Sequence, residues 1–153
     1  MDTMTSWQVT DFGRPLVQAV RQAPAPGGAE VVLRVDGCGV CHSDLHMRDG
    51  FFDLGHGQKL DVGRLVRPPR TLGHEIAGTV VACGPDAQGV AVGDRRLVYP
   101  WLGCGNCRLC TSGQEHLCAT PQPLGVARDG GFATHVLVPH ARYLLDFGGL
   151  PVE

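Results

Sequence analysis

Hydrophobic and polar positions alternate over short stretches of this chain and never settle into a long helical period. Trp7-Gln8-Val9-Thr10 and Leu16-Val17-Gln18-Ala19-Val20 read as two strands, joined by the turn Asp11-Phe12-Gly13-Arg14-Pro15. Pro24-Ala25-Pro26-Gly27-Gly28 is a loop, stiff at its start and free at its end. Glu30-Val31-Val32-Leu33-Arg34-Val35-Asp36 is rich in β-branched residues and reads as a well-buried strand. Gly37 and Gly39 then allow a sharp turn, and Ser43 or Asp44 is the N-cap expected for one short helix running to about Asp49. Residues 50–70 read as a long loop, interrupted by Gly55, Gly57 and Gly63 and closed by Arg67-Pro68-Pro69-Arg70.

Strand character returns over 74–82, through Ile76-Ala77-Gly78-Thr79-Val80-Val81, and again in Arg95-Arg96-Leu97-Val98-Tyr99 after the Gly93-Asp94 turn. The alternation then stops in a cysteine-rich lobe, residues 103–118. Gly130-Gly131 leads into a last strand, Phe132-Ala133-Thr134-His135-Val136-Leu137-Val138, and residues 143–153 carry no stop signal. No repeat, low-complexity tract or heptad pattern is present. Many short strands with glycine turns and few helices predict a mainly β, barrel-like domain with short helices.

Composition narrows the class. The 153 residues suffice for one domain with a real core, and the 22 glycines and 11 prolines agree with many turns. A formal net charge of -2 gives no electrostatic reason to expect nucleic acid or an anionic membrane as partner. Basic residues are nearly all arginine, with Lys59 the single lysine, and they form no run. No apolar run approaches the roughly 18 residues that span a bilayer, and the N-terminal residues lack a signal-peptide core. A cytoplasmic location is expected, in which the seven cysteines are thiols or metal thiolates.

The most specific chemical pattern is Cys104-x2-Cys107-x2-Cys110-x7-Cys118. Four thiolates at this spacing can close a tetrahedral shell around zinc, and a closed shell is structural. An iron–sulfur cluster is the rival, but the ferredoxin run places its fourth cysteine three residues on, before proline, whereas Cys118 precedes Ala119. Zinc is favoured. His116 lies inside the lobe and is an alternative ligand, though four cysteines already fill the shell.

A second constellation is split. Residues 41–46 hold Cys41, His42, Ser43, Asp44 and His46, and Gly73-His74-Glu75 follows about thirty residues later. Cys41 and His74 offer one sulfur and one nitrogen to a metal. The third ligand of a catalytic zinc is either Glu75 or a group outside the sequence. Asp44 is placed to orient a ligating histidine, and Ser43 with His46 to carry a proton toward solvent. Cys38 and Cys83 are expected to be buried core thiols, and His56, His135 and His140 exposed or locally satisfied histidines.

Gly39-Val40-Cys41-His42-Ser43-Asp44-Leu45-His46, Gly73-His74-Glu75-Ile76-Ala77-Gly78, Val92-Gly93-Asp94-Arg95 and the four-cysteine lobe occur in this order over nearly the whole chain. Together they resemble the zinc-dependent medium-chain alcohol dehydrogenases. The resemblance implies a GroES-like β-barrel, the N-terminal portion of a catalytic domain, spanning 1–153 with the zinc lobe 103–118. It implies Cys41 and His74 as ligands of a catalytic zinc, Glu75 as the adjacent glutamate that approaches or exchanges onto the metal, and Asp44 as the partner of His74. Ser43 and His46 would relay the alcohol proton, His42 would contact the cofactor pyrophosphate, and Cys104, Cys107, Cys110 and Cys118 would hold a structural zinc. The implied activity is hydride transfer between an alcohol or aldehyde and NAD or NADP, in an enzyme expected to be a homo-oligomer.

Two departures are expected to matter. Gly37-x-Gly39, Gly55-x-Gly57 and Gly103-x-Gly105 each begin a dinucleotide fingerprint, lack its third glycine and open no βαβ unit, so the nucleotide-binding domain is absent. No cysteine between Cys118 and Glu153 matches the family's third catalytic ligand. The chain is therefore expected to be a piece of a longer enzyme, inactive alone. The stretch 50–70 is longer than in many members, which bears on substrate size. The alternative is a non-catalytic zinc module for protein interaction.

Overall fold

The computed structural model describes residues 3–148 and Leu150. The chain runs β1 (Thr3–Val9), β2 (Val17–Gln22), β3 (Val31–Gly39), α1 (His42–Asp49), β4 (Phe51–Gly55), β5 (Gln58–Asp61), β6 (Arg70–Thr71), β7 (Glu75–Cys83), β8 (Arg95–Val98), α2 (Arg108–Thr111), β9 (His135–Val138) and β10 (Leu144–Leu145). Single 3-10 turns occupy Glu115–Leu117 and Ala141–Tyr143. The architecture is mainly β. Three strands form one antiparallel sheet, in the order β2-β1-β6, five form a second, β10-β8-β7-β3-β9, and β4-β5 is a separate ribbon.

The two larger sheets are stitched together at one place. Trp7 donates its N–H to the carbonyl of Phe132 (2.9 Å), and Thr134 donates to Thr5 (2.8 Å). An isolated bridge pairs Ser6 with Ala133 between them. This seam takes up Phe132–Thr134 in irregular backbone, so β9 begins at His135 rather than at Phe132, and a further short strand, β10, follows it.

The period-2 pattern explains which faces pack. In β7, Ile76, Gly78 and Val80 are buried while Glu75 is exposed. In β3 the expected burial holds only for Val31, Val32 and Leu33, where β7 and β9 flank the strand on both sides. Beyond Arg34 the strand leaves β9, and its second half opens to solvent. Val31, Leu33, Ile76, Val80, Val136 and Val138 centre the main core. Val9, Met47, Val62, Val66 and Leu72 form a smaller one. Burying a side chain of this size contributes about 1.5–3 kcal/mol, and Met47 uses it to fix α1 against the barrel.

Two expectations are corrected. The helix cap is Cys41, not Ser43 or Asp44, because its extended backbone (φ −84°, ψ 151°) precedes the first helical residue, His42. Residues 50–70 are not an unstructured loop. Phe51 pairs with Asp61, Phe52 with Leu60, Asp53 with Lys59 and Gly55 with Gln58. His56 and Gly57 form a two-residue turn with φ of +50° and +75°, the double left-handed geometry of a type I′ hairpin. Cys38 and Cys83 pack against the main core but are half-buried.

Candidate metal centres

The lobe holds its four thiols in one cluster. Cys107 caps α2 and Cys110 lies within it, while Cys104 and Cys118 arrive from the flanking turns. Their sulfurs all lie within 4.8 Å of one another. The Sγ–Sγ distances are 3.5 Å for Cys107 and Cys110, and 3.9 Å for both Cys104 to Cys110 and Cys107 to Cys118. Disulfide sulfurs would sit at about 2.05 Å. Four sulfurs at about 2.3 Å around a tetrahedral zinc would sit about 3.8 Å apart. The residues present therefore fit a tetrahedral four-thiolate ion.

The backbone prepares these thiols unequally. N–H groups of Asn106 and Cys107 around Cys104 draw its thiol down to about 6. Burial pushes Cys110 up to about 12, the backbone of Gly105 opposing. The Cys104 N–H lowers the Cys118 thiol, lying 3.4 Å from its sulfur. His116 is exposed.

A feature without a local sequence signal ties the lobe to the barrel. Glu115 accepts hydrogen bonds from the Tyr143 hydroxyl and, at 3.4 Å, from the Gly103 N–H. It also pairs with Arg142 at 2.9 Å. Burial, then the Glu115 carboxylate, holds the Tyr143 phenol above its ordinary value.

The second centre is assembled from two strand ends. Gly39, at the end of β3, pairs with Glu75 at the start of β7. That register brings Cys41, just beyond β3, beside His74, just before β7. One ligand atom each of Cys41, His74 and Glu75 lies within 4.8 Å of the others. Cys41 and His74 are half-buried and Glu75 is exposed, so the donor set (one thiol, one imidazole, one carboxylate) suits zinc and faces solvent.

Asp44 fixes this meeting point. It is 3% exposed. One carboxylate oxygen accepts the Cys41 N–H and the other the Gly73 N–H, both at 3.0 Å. The spacing from Cys41 to Asp44 is that of a capping box, the sequence signal for this role. His74 Nδ1 lies 3.4 Å from the same carboxylate, close to it but outside hydrogen-bonding geometry. Its Nε2 lies 3.4 Å from the Ser43 hydroxyl.

His46 does not hydrogen-bond Ser43 among the described residues. Its ring instead meets those of His42 and Phe52, each tilted by 35–40° with centroids 4.6 Å away. Phe52 belongs to the ribbon that sequence reading missed. His42 itself is exposed. Behind the centre, burial pushes the Cys38 thiol up to about 12, leaving it a neutral packing group. His140 caps the 3-10 turn by accepting the Arg142 N–H, His135 bonds Thr134, and His56 is exposed in the hairpin turn.

The alcohol dehydrogenase GroES-like domain family matches residues 27–147. An NAD-dependent alcohol dehydrogenase of Sulfurisphaera tokodaii is 44% identical over 148 residues, which cover 92% of this chain and 40% of that protein. An L-threonine 3-dehydrogenase of Pyrococcus furiosus is 35% identical, over 84% of this chain and 34% of its own. The crystal structure of the D-arabinose dehydrogenase from Sulfolobus solfataricus superimposes with a TM-score of 0.81 at 30% identity, covering 99% of this chain and 42% of that one. The chain thus spans about 40% of the length of the first of these relatives.

Proposed function

The chain belongs to the alcohol dehydrogenase GroES-like domain family, and on that premise we propose that it is the metal-binding catalytic portion of a zinc- and NAD(P)-dependent alcohol dehydrogenase. The observation that carries the proposal is the convergence of Cys41, His74 and Glu75 within 4.8 Å at the meeting of β3 and β7. Cys41, His74 and Glu75 would hold a catalytic zinc, and Cys104, Cys107, Cys110 and Cys118 a structural one. Bound at the first centre, zinc supplies a Lewis acid that polarises the oxygen of an alcohol or aldehyde.

The chain's own residues supply position and proton handling. Asp44 locks the backbone on both sides of the centre and keeps His74 turned with Nε2 toward Ser43. The Ser43 hydroxyl is the group placed to receive the proton of a substrate hydroxyl. His46, on the same helix as Ser43 and set between the rings of His42 and Phe52, is the next base toward solvent. Exposed His42 is a candidate contact for the cofactor pyrophosphate. Among the described residues every pairing between strands is antiparallel, the parallel Leu124–Arg128 bridge being isolated, with no βαβ unit to seat a dinucleotide. The nicotinamide would be held by groups outside these residues, and the 153-residue chain alone should not turn over alcohol with NAD(P).

Counting metal by elemental analysis tests this. Two zinc ions per chain are expected, falling to one in Cys41→Ser and His74→Ala. A single zinc that survives both substitutions would favour a non-catalytic zinc module. Brown protein with stoichiometric iron and sulfide would overturn the zinc reading of the lobe.

A further inference from the structure

A cavity of about 440 Å³ opens away from both metal centres, between β2 and β9. Its origin is topological. β2 is the edge of the three-stranded sheet and β9 the edge of the five-stranded one. The two sheets are stitched at Thr5–Trp7 and Phe132–Thr134. Beyond that seam they part, and the gap's lining includes half-buried Leu137, with Met4 and Val136 buried behind it. The lining also includes Arg21, Arg70, Arg128, Asp129 and His135.

The charges do not cancel. Three guanidiniums face one carboxylate, an excess of positive charge in a chain whose formal net charge is -2. Asp129 already pairs with two of the three. One oxygen takes Arg21 at 2.8 Å, and the other takes Arg70 and the Thr71 N–H, each at 3.1 Å. The carboxylate therefore orients two arginines, and its single negative charge is already shared between them. Arg128 is exposed and makes no ion pair or side-chain hydrogen bond among the described residues. Arg70 is largely covered, and its Nε–H is buried with no protein acceptor. A water molecule would satisfy that one donor but leave the charge excess untouched.

We propose that this cavity is an anion site, taking a small phosphomonoester whose phosphate lies among Arg21, Arg70 and Arg128 and whose body lies in the rest of the gap, beside half-buried Leu137. Guanidinium forks match phosphate oxygens in pairs, and the volume is that of a small-molecule site rather than a nucleic-acid track. The site is independent of the zinc centres and of the dehydrogenase reading.

Inorganic phosphate is the probe, titrated at low salt against sodium chloride of equal ionic strength. Calorimetry should give saturable one-to-one binding, and amide shifts should centre on residues 21, 70 and 128–137. Arg128→Gln, which removes an exposed and unpaired side chain, should weaken binding about tenfold, the loss of one charged hydrogen-bonding partner. Arg128→Glu should abolish it while leaving the thermal unfolding midpoint in chloride unchanged. Binding no stronger than that of chloride, equal affinity in Arg128→Gln, or shifts confined to residues 41–46 and 74–75 would each overturn the proposal.

Discussion

The Asp44 carboxylate accepts from two backbone N–H groups, one three residues away and one 29 residues away. Alanine there would strand two buried donors, each costing about 1–3 kcal/mol, so Asp44→Ala should lose about 2–5 kcal/mol of unfolding free energy in urea. Asp44→Asn keeps one acceptor oxygen and should lose roughly half as much. The loss should be measured in chelator-treated protein, where it cannot arise from metal. Two glycines separate the metal question from the packing question. A Cβ on Gly39 would stand 2.1 Å from Glu75 Oε2, the free end of a flexible side chain. Gly39→Ala should therefore cost under about 1 kcal/mol in stability yet push Glu75 off the centre, weakening zinc there about tenfold. Unchanged zinc affinity would remove Glu75 from the ligand set. A Cβ on Gly130 would stand 2.0 Å from the Gly73 carbonyl oxygen, which cannot give way, so Gly130→Ala should cost about 3 kcal/mol or more.

At the scale of elements, the β4-β5 ribbon places Phe52 against His46 and is shaped by its turn. His56 occupies a left-handed position, and nothing lies within 4 Å of a Cβ on Gly57. The cost of Gly57→Ala is then one of backbone alone, about 1–2 kcal/mol, while His56→Asn should stabilise by a few tenths of a kcal/mol, both readable as shifts in the unfolding midpoint. The same turn shows why part of the fold was not legible in the sequence. Val31, Ile76, Val80 and Val136 announce their strands by branching and alternation. Leu54-Gly55-His56-Gly57-Gln58 reads as a broken loop because glycine clusters mark hairpin turns and loops alike. The ligands Cys41, His74 and the four lobe cysteines were legible by spacing. Long-range partners, such as Glu115 with Tyr143 or Arg21 with Asp129, leave no local trace, because only the closed barrel brings them together.

At the scale of the molecule, the barrel and the lobe rest on different forces. The barrel has two apolar cores. Within 103–118 the buried side chains are Cys110 and Cys118, so the lobe has no apolar core of its own. Chelation should therefore raise amide exchange throughout 104–118 while Val31–Leu33 and Ile76–Val80 stay protected. Loss of protection in both regions together would show that the metal supports the whole fold. Among the described residues, no helix is long and apolar enough to cross a membrane.

The placement of that lobe, between β8 and β9, also bears on the order in which the chain assembles. β3 can zip onto β7 once Cys83 exists, yet its other side waits for Val138. Until then a run of three apolar residues stands beside an unpaired backbone edge, open to pairing with another nascent chain. A metal ion gathered by the four thiols would shorten the connection that must close first. Zinc supply during synthesis would then govern yield and aggregation, apart from anything it does in the finished protein.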